Sequence, residues 1–193
     1  MKTQHLAAAP QRGFALMTSI LLLFIITILA LSMFRGFATQ EHIAGNLREK
    51  ERALHAAVSA EQYAEWWLLQ GTNGSVGTAV DCAAGTIVNG NVGGGGPVCT
   101  LALTSYGYTV NNPSTWGIYT YYTPPGLSVS SALNGYFALP AYYILDVGKA
   151  GDGLGEAYQI DAYGYGGSAA TVAVVESTYE VQQGVTCLSC PTF

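Results

Sequence analysis

Four cysteines are the residues whose type and number most clearly predict chemistry in this chain. They are Cys82, Cys99, Cys187 and Cys190. An even count predicts two disulfides if this segment faces an oxidising compartment, and three connectivities are open. We favour Cys82 with Cys99 and Cys187 with Cys190. The first bridge would close a loop of about 18 residues and stabilise the fold by roughly 3 kcal/mol in the chain-entropy model.

Two other interpretations of these cysteines are weaker. Cys187 and Cys190 have the spacing of a thioredoxin-like redox pair, but such a pair normally opens a helix and only Pro191–Phe193 follow here. A zinc site would need a further ligand, and residues 71–193 contain no histidine.

The acid–base inventory of residues 71–193 is too small for common enzymatic sites. The three histidines of the chain are His5, His42 and His55, so a Ser-His-Asp arrangement cannot form there. Residues 71–193 contain one basic residue, Lys149, and seven acidic residues. Their formal charge of −6 disfavours binding to nucleic acid. We therefore expect no catalytic residues, no cofactor and no nucleic-acid partner.

One acidic cluster has glycines between its members and could offer oxygen ligands to Ca²⁺. Its members are Asp146, Asp152, Glu156 and Asp161. Their spacing does not match an EF-hand loop, so we predict no metal site and leave calcium binding as an open question.

The strongest structural element is an uncharged apolar run from Phe14 to Phe34, about 21 residues, which matches the roughly 30 Å hydrocarbon core of a bilayer. Its Leu, Ile and Phe residues favour insertion by about 4 to 8 kcal/mol. The preceding leader carries Lys2 and Arg12 and no acid, so the positive-inside rule predicts a cytoplasmic N-terminus. Residues beyond Arg35 then face outward.

The flanks of this run differ from those of an ordinary secretory signal, which has a small-residue cleavage site on its far side. Phe34–Phe37 is a poor site of that kind, whereas Arg12, Gly13 and Phe14 immediately precede the run. A short basic leader, then Gly, an aromatic residue and a long apolar helix resembles the class III signal of prepilins.

Two further segments extend the resemblance, to PilX-type minor pilins of type IV pili. The segment after the apolar run, Ile43–Glu49 with Arg52–Ala57, is similar to the motif of that family, and Ala162–Ser168 with Val172–Tyr179 is similar to its final hairpin. Residues 71–154 carry no such resemblance. The resemblance implies cleavage between Gly13 and Phe14 by a prepilin peptidase, N-methylation of Phe14 and incorporation into a pilus.

The expected fold class is therefore α+β and type IV pilin-like, with a long N-terminal helix packed on a C-terminal antiparallel β-sheet head. The first half of this helix would span the membrane. The expected parts are a leader (1–13), a transmembrane or pilus-core helix (14–35), an amphipathic helix continuing into the head (36–70) and a disulfide-containing β-rich head (71–193).

Helical periodicity predicts one continuous apolar face on the amphipathic helix. One row consists of Ile43, Leu47, Leu54 and Val58, and the other of Ala53, Ala57, Ala60, Ala64 and Leu68. The charged run from Arg48 to Arg52 is expected to be solvated. Trp66 and Trp67 are expected to anchor the helix in the core of the head, and Gln70-Gly71 to stop it.

Gly, Pro and Asn signals divide the head into expected strands. These are Val98–Leu103, Tyr106–Val110, Ile118–Thr123, Tyr142–Val147, Ala157–Tyr163 and Thr171–Val181. The head also holds twelve tyrosines, most of which we assign to packing between strands.

Thr18 is the fifth residue after the expected cleavage site, where most major pilins have Glu. That Glu pairs with the N-terminal amine of a neighbouring subunit, and burying either charge alone costs several kcal/mol. The neutral Thr18 therefore favours a position at or near the pilus tip, in a priming complex.

The expected function is that of a minor pilin in pilus assembly, supporting adhesion, aggregation or motility. Expected partners are other minor pilins, the major pilin, the prepilin peptidase, a tip adhesin and inner-membrane lipid. The alternatives are a pseudopilin at the tip of a type II secretion system and an uncleaved membrane-anchored binding module. The expected location is the bacterial inner membrane before assembly, and then the pilus, from periplasm to cell surface.

Overall fold

The computed structural model describes residues 12–83, 87–90, 95–130, 135–151 and 153–182. A single helix, α1, runs from Arg12 to Leu68. The chain forms two compact units that divide within this helix, after Asn46.

The described part of the first unit, residues 12–46, belongs to α1. Its most apolar window of 18 residues has a mean hydropathy of 2.8, and no residue of that window is buried. By length and composition this helix can cross a membrane. The hydroxyl groups of Thr18, Ser19, Thr27 and Thr39 donate hydrogen bonds to backbone carbonyls of the preceding turn, as Thr27 Oγ1 does to Phe24 O at 2.8 Å. These four side chains are thereby satisfied inside the helix itself.

The second unit contains the rest of α1 and a sheet of six strands. The strands are β1 (Ile87–Gly90), β2 (Val98–Cys99), β3 (Tyr119–Tyr122), β4 (Ala141–Lys149), β5 (Gly155–Tyr165) and β6 (Val172–Gln182). The main order is β1-β3-β4-β5-β6, and β2 pairs with β4 beyond the end of β3. Two short 3₁₀ helices, Leu103–Tyr106 and Pro113–Thr115, precede β3.

The α+β class is confirmed. Along the path from β3 to β6 all pairs are antiparallel, as expected, whereas β1 with β3 and β2 with β4 are parallel. The sheet is therefore mixed, because these two short strands enter it through loops rather than through hairpins.

The sheet is covered on both faces, because side chains alternate between the faces along each strand. Tyr142, Ile144, Tyr158 and Ile160 face the helix in one buried cluster. Tyr143 and Tyr163 lie on the other face, in a second cluster with Trp116, Ile118 and the disulfide of Cys82 and Cys99.

Three of the six expected strands match observed ones closely, and the expected strand Ile118–Thr123 contains β3. The expectation for Tyr106–Val110 was wrong. Tyr106 ends a 3₁₀ helix, Gly107 adopts a φ of 82°, and the Tyr108 N–H bonds back to Leu103 O. A positive φ at Gly107 breaks an extended chain. Of Val98–Leu103, only Val98 and Cys99 form a strand, and β1 was missed.

The apolar face expected on the amphipathic helix was only half right. The alanine row is buried, with Ala53, Ala57, Ala60 and Ala64 each 0% exposed. By contrast, Leu47 and Leu54 remain 57% and 45% exposed. Alanines occupy the sheet-facing positions because their small side chains let the backbone of the sheet come close.

The helix ends as expected. Leu68 is its last residue and Gly71 has a φ of 58°, the left-handed conformation that commonly follows a helix C-terminus. Trp66 and Trp67 are half-buried and pack against the helix-facing cluster.

Candidate functional site

The candidate processing junction lies in the first turn of α1, which begins at Arg12. Phe14 is 71% exposed, so its ring lies free on the helix surface. One turn later, Thr18 Oγ1 donates to Phe14 O at 3.2 Å and Ala15 O at 3.0 Å. The Thr18 hydroxyl is therefore satisfied by the carbonyls of its own helix and contributes no charge at this position.

The surface that follows the junction is apolar on every side. From Phe14 to Phe37, every large hydrophobic side chain is between 49% and 75% exposed. An apolar surface of this extent is stable in lipid or against other apolar helices, not in water. This part of the chain is therefore built to be covered by something outside its own fold.

A charged clamp joins α1 to the loops of the head. Glu49 Oε2 accepts a hydrogen bond from the Gly167 N–H at 2.6 Å, and Glu49 Oε1 lies 2.8 Å from Arg52 Nη1. Arg52 Nη2 in turn donates to Gly135 O at 2.9 Å, and its guanidinium lies 4.6 Å from the centre of the Tyr136 ring. The two side chains thus connect the helix to both loops beside the end of β5.

Electrostatics of the clamp favour its charged form. The Gly167 N–H bond, followed by the hydrogen bond from Arg52, lowers the pKa of Glu49 below its usual value. The expectation that the whole charged run is solvated was therefore wrong for Glu49 and Arg52, which are half-buried, whereas Arg48, Lys50 and Glu51 are exposed.

The alanine row of α1 meets a glycine on the sheet. A Cβ built on Gly164 of β5 would lie 2.6 Å from Ala53 O and 2.7 Å from Ala56 Cβ. These distances leave no room for a side chain, so helix and sheet touch through their backbones. Gly164 lies in the Ala162–Ser168 segment and Ala53 in the Arg52–Ala57 segment, so two stretches with a family resemblance contact each other here.

Cys82 and Cys99 form a disulfide with a Cα–Cα distance of 5.5 Å, the pairing favoured from the sequence. Both residues are buried, at 3% and 1% exposure. The backbone of Val80 bridges to that of Cys99 alongside, so the bond fixes the loop to the sheet. Cys187 and Cys190 lie outside the described residues.

The acidic residues considered for calcium do not converge. Glu156 and Asp161 are five positions apart on β5, so their side chains point to opposite faces of the sheet. Asp146 Oδ1 accepts from the Gly148 N–H at 2.8 Å, and Asp152 lies outside the described residues. Within the described ranges, no group of three or more His, Cys, Asp or Glu residues could hold a metal ion.

Asp161 is a buried acid with a shifted pKa. It is 2% exposed, and burial raises the pKa of its carboxyl to about 6. The Gln159 amide donates to it at 3.3 Å, while Glu176 lies opposite it in register on β6. This burial could not be predicted, because the pattern around Asp161 does not reveal that this face of β5 is covered.

Aromatic rings form much of the second buried cluster, on the sheet face that does not face the helix. Tyr163 makes edge contacts with Trp116, Tyr119 and Tyr165 at centroid distances of 5.2 to 5.8 Å. Burial, followed by the hydrogen bond with Tyr121, raises the pKa of Tyr119 to about 12. These tyrosines pack between elements of the head, in agreement with the assignment of most of them to packing.

Comparisons with known proteins address the N-terminal part of the chain. Residues 12–60 match the family model described as PilX N-terminal. No curated protein and no solved structure gave a match. The matched region starts beside the candidate processing junction, contains the apolar surface and the Glu49–Arg52 clamp, and ends within the buried alanine row. The match covers about a quarter of the chain and shows that this part is similar to the N-terminal domain of PilX pilins.

Proposed function

We propose that this chain is a minor pilin that takes part in type IV pilus assembly. Its apolar helix anchors it in the inner membrane with the N-terminus in the cytoplasm. The prepilin peptidase removes residues 1–13 between Gly13 and Phe14, and the new Phe14 amine is methylated. The helix then leaves the lipid and packs with the helices of other minor pilins and of the major pilin.

The observation that carries this proposal is the PilX N-terminal match, which spans the junction and the apolar helix together. The exposure of every large hydrophobic side chain from Phe14 to Phe37 supports it, because such a surface serves equally in lipid and in a helical fibre core. The subunit would thereby support pilus-dependent adhesion, aggregation or motility, also through a tip adhesin.

The position within the fibre follows from Thr18. A subunit that docks beneath another must offer a carboxylate to the amine of its neighbour, because an unpaired charge in an apolar core is costly. The Thr18 hydroxyl is already bonded to Phe14 O and Ala15 O and offers no charge. We infer that this subunit lies at or near the tip, in the priming complex.

N-terminal sequencing of the chain from sheared surface filaments tests the processing step. We expect the sequence to begin at a methylated Phe14. A Gly13→Leu variant should retain residues 1–13 and be absent from filaments. If the wild-type chain keeps its leader while filaments are normal, it is an uncleaved membrane-anchored module. Recovery of a processed chain only in a secretion complex would instead identify a type II pseudopilin.

A Thr18→Glu variant tests the position in the fibre. We expect the added carboxylate to let the subunit dock beneath others, so that immunogold labelling spreads from the tips along the fibres and the copy number per fibre rises. Ser19→Glu is the matched control, because Ser19 makes the same kind of intrahelical bond one position further on. Unchanged labelling in Thr18→Glu would show that Thr18 does not determine the position.

A further inference from the structure

The sheet of the head ends in a long free edge. β6 is the last strand in the order and, among the described residues, pairs only with β5. Its 11 residues pair one to one with β5, from Tyr165 opposite Val172 to Gly155 opposite Gln182, without a register shift. Because backbone groups alternate in direction along a strand, about half of the N–H and C=O groups of β6 point away from the sheet.

This edge lacks most devices that proteins use to prevent strand addition. Such devices include proline, lysine, bulges and short edge strands. β6 contains no Pro, Lys or Arg, and five of its 11 residues are Val or Thr, which favour strands. β1, at the opposite edge, has only 4 residues. The structure therefore presents one regular template for an incoming strand, along β6.

The charges on β6 determine what can pair with it. Glu176 and Glu180 are exposed and point to the same face, and neither β5 nor β6 contains a basic residue. Asp161 lies opposite Glu176, so the local charge is entirely negative. A second copy of β6 joined by a two-fold axis normal to the sheet would bring four carboxylates onto one face, which is unfavourable. The two glutamates thus discourage self-pairing and favour a basic strand.

We propose that β6 is a docking edge for a β-strand of a partner protein that carries two Lys or Arg residues on one face, at the spacing of Glu176 and Glu180. Main-chain hydrogen bonds to the outward groups of β6 would supply affinity, and ion pairs with Glu176 and Glu180 would supply selectivity. The proposal does not depend on the pilus role, because an uncleaved membrane-anchored chain would present the same edge.

Hydrogen exchange of the full-length chain in detergent micelles tests the edge. The probe is a synthetic strand-forming peptide of Val and Thr with two lysines at the spacing of Glu176 and Glu180. A matched peptide has Glu in place of Lys. At saturation, we expect the lysine peptide to slow exchange about tenfold at alternate β6 amides, the outward ones. The inward amides bond to β5 in either state and report that the head stays folded.

Charge reversal then tests selectivity. Glu176→Lys with Glu180→Lys should weaken the lysine peptide about tenfold and make the glutamate peptide the better ligand. Glu51→Lys, at an exposed position of α1, is the matched control and should change neither affinity. Three results would overturn the proposal: no slowing at β6, equal slowing by both peptides, or outward β6 amides that are already protected without peptide. In the last case, persistence on dilution would show that the chain covers its own edge, and loss on dilution that a second copy does.

Discussion

The two ends of α1 differ in how their small and large side chains are used. In the first unit, large residues such as Phe14 and Met17 are 71% and 75% exposed. In the second unit, the large residues Leu47 and Leu54 are also exposed, while the alanines beside them are completely buried. The side chains of the first unit suit an apolar environment. Those of the second unit fit the shape of one particular sheet.

A pair of double substitutions makes this contrast measurable. Leu23→Asp with Ile26→Asp places two acids in the apolar run, at a cost of about 2.5 to 3.5 kcal/mol each, comparable to the whole insertion energy of the helix. We expect loss of the chain from the alkali-resistant membrane fraction. Val147→Asp with Leu154→Asp changes similarly exposed residues of the head, 57% and 69% exposed, and should leave membrane retention unchanged.

Equal loss in both double variants would contradict the contrast, because exposure of apolar side chains would then have the same meaning in both units. Retention of both variants would show that the run from Phe14 to Phe34 is not what holds the chain in the membrane.

The apolar helix of the first unit, whose side chains suit an apolar environment, could be predicted from the sequence. A run of apolar residues has the length of a bilayer whatever it packs against, so the Phe14–Phe34 segment needs no tertiary information. The three long strands were also predicted closely, and β3 in part, because alternation along a strand is local.

The parts that escaped prediction depend on contacts between distant residues. The choice of Ala53 over Leu54 as the buried position follows from the approach of Gly164, 111 residues further along the chain. Glu49 is half-buried where it accepts a hydrogen bond from the Gly167 N–H, and Asp161 is buried on the sheet face that carries the cluster with Trp116 and Ile118. None of these partners lies within the window of a periodicity argument. The predicted exposure of Glu49 and the predicted burial of Leu54 were therefore wrong, because the burial of these residues depends on a backbone amide and on a glycine that belong to other elements.

A glycine-to-alanine pair sharpens the second half of the contrast. Gly164→Ala would force a Cβ to within 2.6 Å of Ala53 O and so push helix and sheet apart, at a cost of about 3 kcal/mol in unfolding free energy. Gly151→Ala, where a Cβ meets nothing within 4 Å, is the control and should stay within about 0.5 kcal/mol. Urea unfolding of the full chain, followed by tryptophan fluorescence, measures both. Similar stability of the two variants would mean that helix and sheet are not packed backbone to backbone.

The smallest expected effect is a gain in stability, and it follows from substitution of Asp161. Because burial raises its pKa from 3.8 to about 6, the folded state holds this proton more tightly than the unfolded state, and stability falls as pH rises through that range. Asp161→Asn should remove this dependence and stabilise the protein by about 1 to 2 kcal/mol at neutral pH, with little difference below about pH 4. Glu180→Gln, on the exposed face of β6, is the control and should change stability little at either pH.

The unfolding free energy of the wild type, Asp161→Asn and Glu180→Gln is measured across this pH range. The difference between each variant and the wild type isolates the substituted group, because the titration of all other groups cancels. A gain that grows between the unfolded pKa of 3.8 and the folded pKa of about 6, and is constant above it, would show that the Asp161 carboxylate is buried at a cost. A loss of stability at neutral pH in Asp161→Asn would show instead that the ionised carboxylate is held by a favourable partner. The ionised Asp161 carboxylate would then be stabilised in the folded state, as the ionised Glu49 carboxylate is by Gly167 and Arg52.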